Sequence, residues 1–158
     1  QHDSLLKRYI MSFRQFYHNA RFTNTFKRVF LARRGNRIYN QDELIATASK
    51  YGFVVIYPEE LSLREQFAIF SSCSHIIGPS GAAWVGIIFN DKSLKCLSWL
   101  PKSFSEGCTY SSLAYLLGHD LTFIESLPKF PINSAYDFHA NSYFIPPIVL
   151  EEYLSNLI

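Results

Sequence analysis

Apolar residues recur along this chain with two alternating periods, and each change of period marks a new element. Leu5, Leu6, Tyr9, Phe13, Phe16 and Tyr17 fall at helical spacing while Lys7, Arg8 and Arg14 fall elsewhere, which predicts an amphipathic helix capped by Asp3 or Ser4. Such a helix either lies on a membrane or packs against a domain, and the small number of basic residues favours packing. The run from Arg28 to Ala32 reads as a strand. Asn40 and Glu43 have capping-box spacing ahead of Leu44, Ile45, Ala48 and Tyr51, the buried stripe of a helix closed by Gly52. Phe53 to Tyr57 is a nearly continuous apolar strand, as expected where both faces of a parallel sheet are covered. Ser62 and Glu65 repeat the capping-box spacing, and Leu63, Phe67 and Phe70 face inward from the helix that follows.

A third strand, His75 to Ile77, is broken by Gly78-Pro79-Ser80-Gly81, and from Ala82 the chain resumes as an apolar helix. Leu94 to Trp99 is a fourth strand, 102–109 a polar loop, Leu113, Leu116 and Leu117 a helix ended by Gly118, and Leu121 to Ile124 a fifth strand. This alternation predicts an α/β fold, a Rossmann-like doubly wound parallel sheet with right-handed crossovers and strand order 3-2-1-4-5. Three regions follow: an N-terminal helix and connection over 1–27, a Rossmann-like domain over 28–127, and a wrapping loop with a last helix over 128–158. In that last helix Leu150, Tyr153, Leu154 and Leu157 share one side. Its apolar face and that of the first helix are expected to need a partner outside this region.

Composition narrows the function classes. The 158 residues are 48% hydrophobic and 16% aromatic, enough for one domain with a real core. A net charge of +2 without a basic stripe argues against nucleic acid. Cys73, Cys96 and Cys108 lack CxxC spacing, so neither a zinc site nor a disulfide framework is indicated and a reducing compartment fits. No apolar run approaches the roughly 20 residues of a membrane span, and the segment reads as soluble. Gln1 is not an initiator methionine, which predicts a fragment or a processed product.

The candidate chemistry centres on the turn from Gly78 to Gly81. Glycine lets backbone approach a ligand closely, and the helix start at Gly81-Ala82 offers N–H donors and partial positive charge to a phosphate. The alternative is an ordinary strand-to-helix connection. Arg33, Arg34 and Arg37 lie just past the first strand's carboxyl end, as a phosphate clamp or as a solvated loop. Glu65 and Gln66 either meet ribose or sugar hydroxyls or cap their helix, and Trp84 and Trp99 either stack on a base or pack in the core. His75, inside the strand pattern, reads as a hydrogen-bonded core histidine. No Asp-x-Asp pair is present to hold a divalent ion.

The ordered set Arg33-Arg34, Arg37-x-x-Asn40, Gly52-Phe53-Val54-Val55, Pro58-Glu59-x-Leu61-Ser62, Glu65-Gln66 and Ile77-Gly78-x-x-Gly81-Ala82 with Phe89 resembles glycosyltransferase family 61 over about Val29 to Pro101. The resemblance implies transfer of a sugar from a nucleotide-diphosphate sugar, UDP-linked, to a glycan or protein acceptor. It implies the C-terminal, donor-binding half of a GT-B fold, which an N-terminal domain of the same protein would complete. Fixed arginines and helix-start N–H groups can hold a diphosphate without a metal, so neither a metal nor a cofactor beyond the donor is expected, and Arg33, Arg34, Arg37, Glu65, Gln66, Ser80, Gly81 and Ala82 are expected at the nucleotide sugar. A cytoplasmic setting with or without membrane association is expected, or the Golgi or ER lumen in a eukaryote. Two departures stand out. Ser80 occupies the catalytic position where the family usually has histidine, and Gly86 stands where an asparagine commonly follows. Serine does not act as an acid or base near pH 7 as imidazole does. A non-catalytic nucleotide-, glycan- or partner-binding module derived from such an enzyme is therefore the second reading. A dinucleotide-dependent enzyme is a weaker third, because arginines and not GxGxxG follow the first strand.

Overall fold

Alternate side chains of one short strand seed two separate cores. In the computed structural model, which describes residues 2–18, 25–35, 39–101, 108–128 and 143–158, strand β1 (Arg28–Leu31) sends Val29 and Leu31 to one face of the sheet and Phe30 to the other. Val29 and Leu31 meet Ile56, Ile76 and Cys96, whereas Phe30 meets Ile77, Leu97 and Trp99. These strands are apolar on both faces because both are covered by helices.

Helix α1 (His2–His18) precedes β1, and α2 (Gln41–Lys50), β2 (Val54–Ile56), α3 (Leu63–Ser72), β3 (His75–Pro79) and a 3-10 helix (Ala82–Phe89) follow it. Then come β4 (Lys95–Pro101), α4 (Thr109–Leu117), β5 (Asp120–Pro128), β6 (Tyr143–Phe144) and α5 (Pro147–Leu157). The sheet order is β2-β1-β3-β4-β5-β6, parallel through β5, with β6 antiparallel to β5. The doubly wound parallel sheet is thus present, but its order is 2-1-3-4-5 and not the expected 3-2-1-4-5. After β2 the chain recrosses β1, so its direction reverses between β1 and β3. Helices α2 and α3 each have ten residues, so element length gave no sign of the side on which β3 would pair. Right-handed crossovers in opposite directions require helices on opposite faces, and α2 lies on the Phe30 face while α3 lies on the Val29 face.

The segment after the turn is a 3-10 helix, and its burial follows a period of three. Trp84, Ile87 and Asn90 are buried, as are Gly86 and Phe89, while Ala82 and Val85 are exposed. Three residues per turn align positions i and i+3, so each of these rows is one ridge. Asn90 closes the helix: its Nδ2 donates to Phe70 O at 2.7 Å and Cys73 O at 2.9 Å, and its Oδ1 accepts from Lys92 N at 2.9 Å. Helix α1 docks on the same piece, with Phe13 stacked on Phe89 at 5.6 Å and Arg14 Nε donating to Ile88 O at 2.6 Å.

Several local expectations change in this setting. Ser62 and Glu65 form a complete capping box, but Asn40 makes no cap to α2; its amide instead donates to Ile145 O at 2.8 Å and accepts from Ile145 N at 3.1 Å. The Asn40 and Glu43 side chains still meet, Nδ2 donating to Glu43 Oε2 at 3.2 Å, but the Asn40 side chain does not cap the helix backbone. The face of α5 expected to need an outside partner is largely filled within the chain, since Leu150 and Leu154 are fully buried in the core that includes Leu44 and Ala48 of α2, with Leu157 partly buried against it and Tyr153 exposed. On α1, Ile10 is buried, and the predicted stripe residues Leu5 and Tyr9 are exposed. The side chains of Leu6, Phe16 and Tyr17 lie outside the described residues. Trp84 and Trp99 are both core residues.

Gly86 has a packing cause. A β-carbon there would lie 2.5 Å from Phe70 Cε2 and Cζ, and Phe70 is fully buried and unable to withdraw cheaply. Both Gly86→Ala and Gly86→Asn are expected to cost about 1–3 kcal/mol, the usual cost of overpacking, read as a lowered midpoint in denaturant.

His119 is buried with both ring nitrogens engaged: Nδ1 accepts from Leu94 N at 3.3 Å and Nε2 donates to Ile87 O at 3.0 Å. Burial lowers its pKa, outweighing the Ile87 carbonyl, and burial lowers that of His75 in the same way. The unfolded chain then takes up a proton near the ordinary histidine value of about 6.5 before the native state does, so stability is full above that pH and falls as pH drops below it. Thermal unfolding between about pH 8 and pH 5 should show this acid-side loss, and His119→Gln should make it shallower, with His75 supplying the residual slope.

Candidate functional site

The carboxyl ends of β1 and β3 diverge at the strand-order reversal, where open α/β sheets bind ligands. A cavity of about 610 Å³ occupies this crevice. One wall is the loop after β1, with Arg33, Arg34 and Gly35; another is the turn after β3 with the first residues of the 3-10 helix; Glu59 and Gln66 form the β2 side.

Arg33 is the bridge between the walls. Its backbone is fixed by Gln41, whose Oε1 accepts from Arg33 N at 2.8 Å and whose Nε2 donates to Arg33 O at 3.1 Å. Tyr39, a phenol whose pKa burial pushes up, donates to the same Gln41 oxygen at 2.8 Å. The Arg33 guanidinium then crosses to the turn, where Nη2 donates to Ser80 O and lies 3.5 Å from Pro79 O. It lies against Gly81, where a β-carbon would collide with Nη2. Trp84 Nε1 also donates to Pro79 O, at 3.0 Å. The turn's carbonyls are thereby taken up by two donors. The first intrahelical bond runs from Trp84 N to Gly81 O at 2.9 Å, so Ala82 and Ala83, both lining the cavity, precede it with N–H groups that have no partner within the helix.

The remaining predicted residues are dispersed. Arg34 lines the cavity, but its guanidinium lies 4.1 Å from the centre of the Tyr57 ring and pairs with Glu60, whose carboxylate raises the arginine's pKa. Arg37 lies outside the described residues. Gln66 lines the cavity and donates to Pro58 O at 3.0 Å and Leu61 O at 3.1 Å. Glu65 takes the capping role of its two alternatives: Oε2 accepts from Ser62 Oγ at 2.6 Å and Ser62 N at 2.8 Å, bonds that lower its pKa. Ser80 sits on the β4 side of the turn, with N donating to Trp99 O at 3.1 Å and Oγ 4.0 Å from Cys108 Sγ. His75 is at the opposite, amino end of β3, beside Leu157 O at 3.3 Å, hydrogen-bonded as expected but half-buried and not in the core.

Sequence reasoning passed over Glu59, which lines the cavity and accepts from Arg34 N at 2.7 Å. The available signal was its place immediately past β2, level with the arginine loop past β1. Among the described residues no group of three or more His, Cys, Asp or Glu side chains is arranged to hold a metal ion. No described helix is long and apolar enough to cross a membrane.

The two glycines of this region separate packing from site geometry. Gly81 faces the tip of a flexible side chain and Gly86 a buried ring. Gly81→Ala is therefore expected to swing Arg33 off the turn at a cost below about 1.5 kcal/mol, whereas Gly86→Ala costs stability as above. Parallel thermal melts of the two variants check the contrast.

Comparison with known proteins identifies a family. The model of Glycosyltransferase 61 matches residues 1–97, more than half of the chain and the part that carries β1, α3, β3 and the whole 3-10 helix. No curated protein matches the chain.

Proposed function

The chain belongs to glycosyltransferase family 61, and from that premise we propose that the cavity between β1 and β3 holds the diphosphate of a nucleotide sugar, probed as UDP, whose sugar passes to a glycan or protein acceptor. The observation that carries this reading is that Arg33, whose guanidinium reaches the turn, and Ala82 and Ala83, whose N–H groups have no partner within the helix, line one cavity at the strand-order reversal. A guanidinium has five N–H donors, and the bonds to the turn use one nitrogen of Arg33, so the others can serve a phosphate. Fixed donors of this kind stabilise the charge that develops on a leaving nucleotide without a metal ion. Of the arginines originally grouped as a clamp, Arg33 is the one assigned this role; Arg34 is committed to Glu60 and Tyr57.

In this proposal the chain is the donor-binding half of a GT-B enzyme, and a second domain supplies the acceptor. A second reading, a binding module without transfer activity, is favoured by Ser80 at the position where the resemblance expects histidine. Gly86 no longer bears on that choice, because Phe70 accounts for it.

Calorimetry with UDP is expected to show binding that excess EDTA leaves unchanged; strict dependence on manganese or magnesium would overturn the metal-free part. Arg33→Ala should weaken UDP by roughly 1.5–3 kcal/mol, the worth of a hydrogen bond to a charged group. Ser80→Ala should cost about 0.5–1.5 kcal/mol in binding. In the full-length protein, Ser80→His should preserve or raise sugar transfer in a weakened enzyme and change nothing in a binding module.

A further inference from the structure

We propose that Glu59 reads the ribose of the nucleotide, its carboxylate accepting from the 2′-hydroxyl while the amide oxygen of Gln66 accepts from the 3′-hydroxyl. This rests on the donor-site reading and adds the direction in which the nucleotide lies.

The inference comes from counting donors and acceptors around the cavity. Both hydrogens of Gln66 Nε2 have carbonyl partners, Pro58 O and Leu61 O, which leaves Oε1, an acceptor, as the amide's remaining capacity. Those bonds hold the Gln66 side chain against the turn Pro58–Glu60 that carries Glu59. Glu59 Oε1 accepts from Arg34 N, and an ionised carboxylate has further lone pairs and no donor. The β2 side of the cavity thus contributes acceptors, and the β3 side contributes the donors of Arg33, Ala82 and Ala83.

That polarity orients a nucleotide sugar. The diphosphate is drawn to the donors and repelled by the Glu59 carboxylate, while a vicinal diol matches the acceptor side. A nucleotide sugar has hydroxyls on both sides of its diphosphate, on the ribose and on the sugar. Ser80, at the position assigned to transfer, lies on the β4 side of the turn, away from β2. The sugar therefore points towards β4, and the ribose meets Glu59.

The test titrates the full chain, wild type and Glu59 variants, with UDP, 2′-deoxy-UDP and pyrophosphate. The wild type is expected to bind UDP about ten-fold more tightly than 2′-deoxy-UDP, the low end of the value of a charge-assisted hydrogen bond. Glu59→Ala should remove that preference by weakening UDP alone, leaving 2′-deoxy-UDP and pyrophosphate no weaker. Glu59→Gln keeps an oxygen for Arg34 N and is expected to reduce the preference with the fold intact by circular dichroism. Equal affinity of the wild type for UDP and 2′-deoxy-UDP would overturn the ribose assignment while leaving the donor site standing. So would an equal loss for both nucleotides in Glu59→Ala, since that would be an effect through the Arg34 loop. Absence of UDP binding in the wild type would overturn the donor-site reading and this inference together.

Discussion

The guanidinium of Arg33 lies where a β-carbon on Gly81 would be, and the geometry of the crevice depends on that contact. It joins the loop after β1 to the turn after β3, two segments that the strand-order reversal would otherwise leave apart. Arg33 and Trp84 between them engage the carbonyls of Pro79 and Ser80. Gly78-Pro79-Ser80-Gly81 has one more carbonyl than N–H groups because of its proline, and here the carbonyls of Pro79 and Ser80 are occupied. On the turn side the cavity is lined by the first residues of the 3-10 helix beside the Arg33 cation, so this wall is positive although the chain's net charge is only +2, and Glu59 stands on the β2 side. Gln41 extends the device by one layer, since a side-chain amide bonded to both backbone groups of Arg33 holds that residue as a neighbouring strand would.

The fold was legible where it depends on local pattern and opaque where it depends on side or partner. Runs such as Val29 to Leu31 and Leu94 to Trp99 announce strands buried on both faces, and Ser62 with Glu65 announces a helix start that forms as expected. Strand order was not legible, because a ten-residue crossover helix connects equally well to either side of β1. Asn40 and Glu43 have the same spacing as Ser62 and Glu65, yet Asn40 bonds to the backbone of Ile145, far along the chain, and that choice is invisible in a local window. The segment from Ala82 is legible as a helix but not as a 3-10 helix, because a run that is apolar nearly all round carries no period until its neighbours are known.

In the site, the residues found by sequence are those whose role is set by the backbone. Gly81 and Ala82 line the cavity because they follow a strand at the crevice, and Arg33 because it follows the adjacent strand. Glu65 and Arg34 were grouped with them by residue type, but each has a nearer partner, Ser62 and Glu60. A charged side chain on an exposed loop pairs with the closest opposite charge or cap, and the sequence gives no distance by which to foresee which one. Glu59 was overlooked for the complementary reason: between two other turn residues it has no distinguishing pattern, and its significance comes from β2 standing beside β1.

The cavity and the chemistry draw on different parts of the chain, which bears on how Ser80 should be understood. Ser80 contributes to the crevice through its backbone, with its carbonyl held by Arg33 and its N–H by Trp99 O. Neither bond depends on the side chain. A histidine or a serine at this position leaves those bonds available, so exchanging one for the other changes acid–base capacity without changing the architecture around it. The two histidines whose side chains are described cannot substitute, since His75 is at the far end of β3 and His119 has both nitrogens occupied within the core. The shape of this crevice is therefore independent of the side chain at position 80, because the wall beside it is built from backbone groups and an arginine anchored to carbonyls.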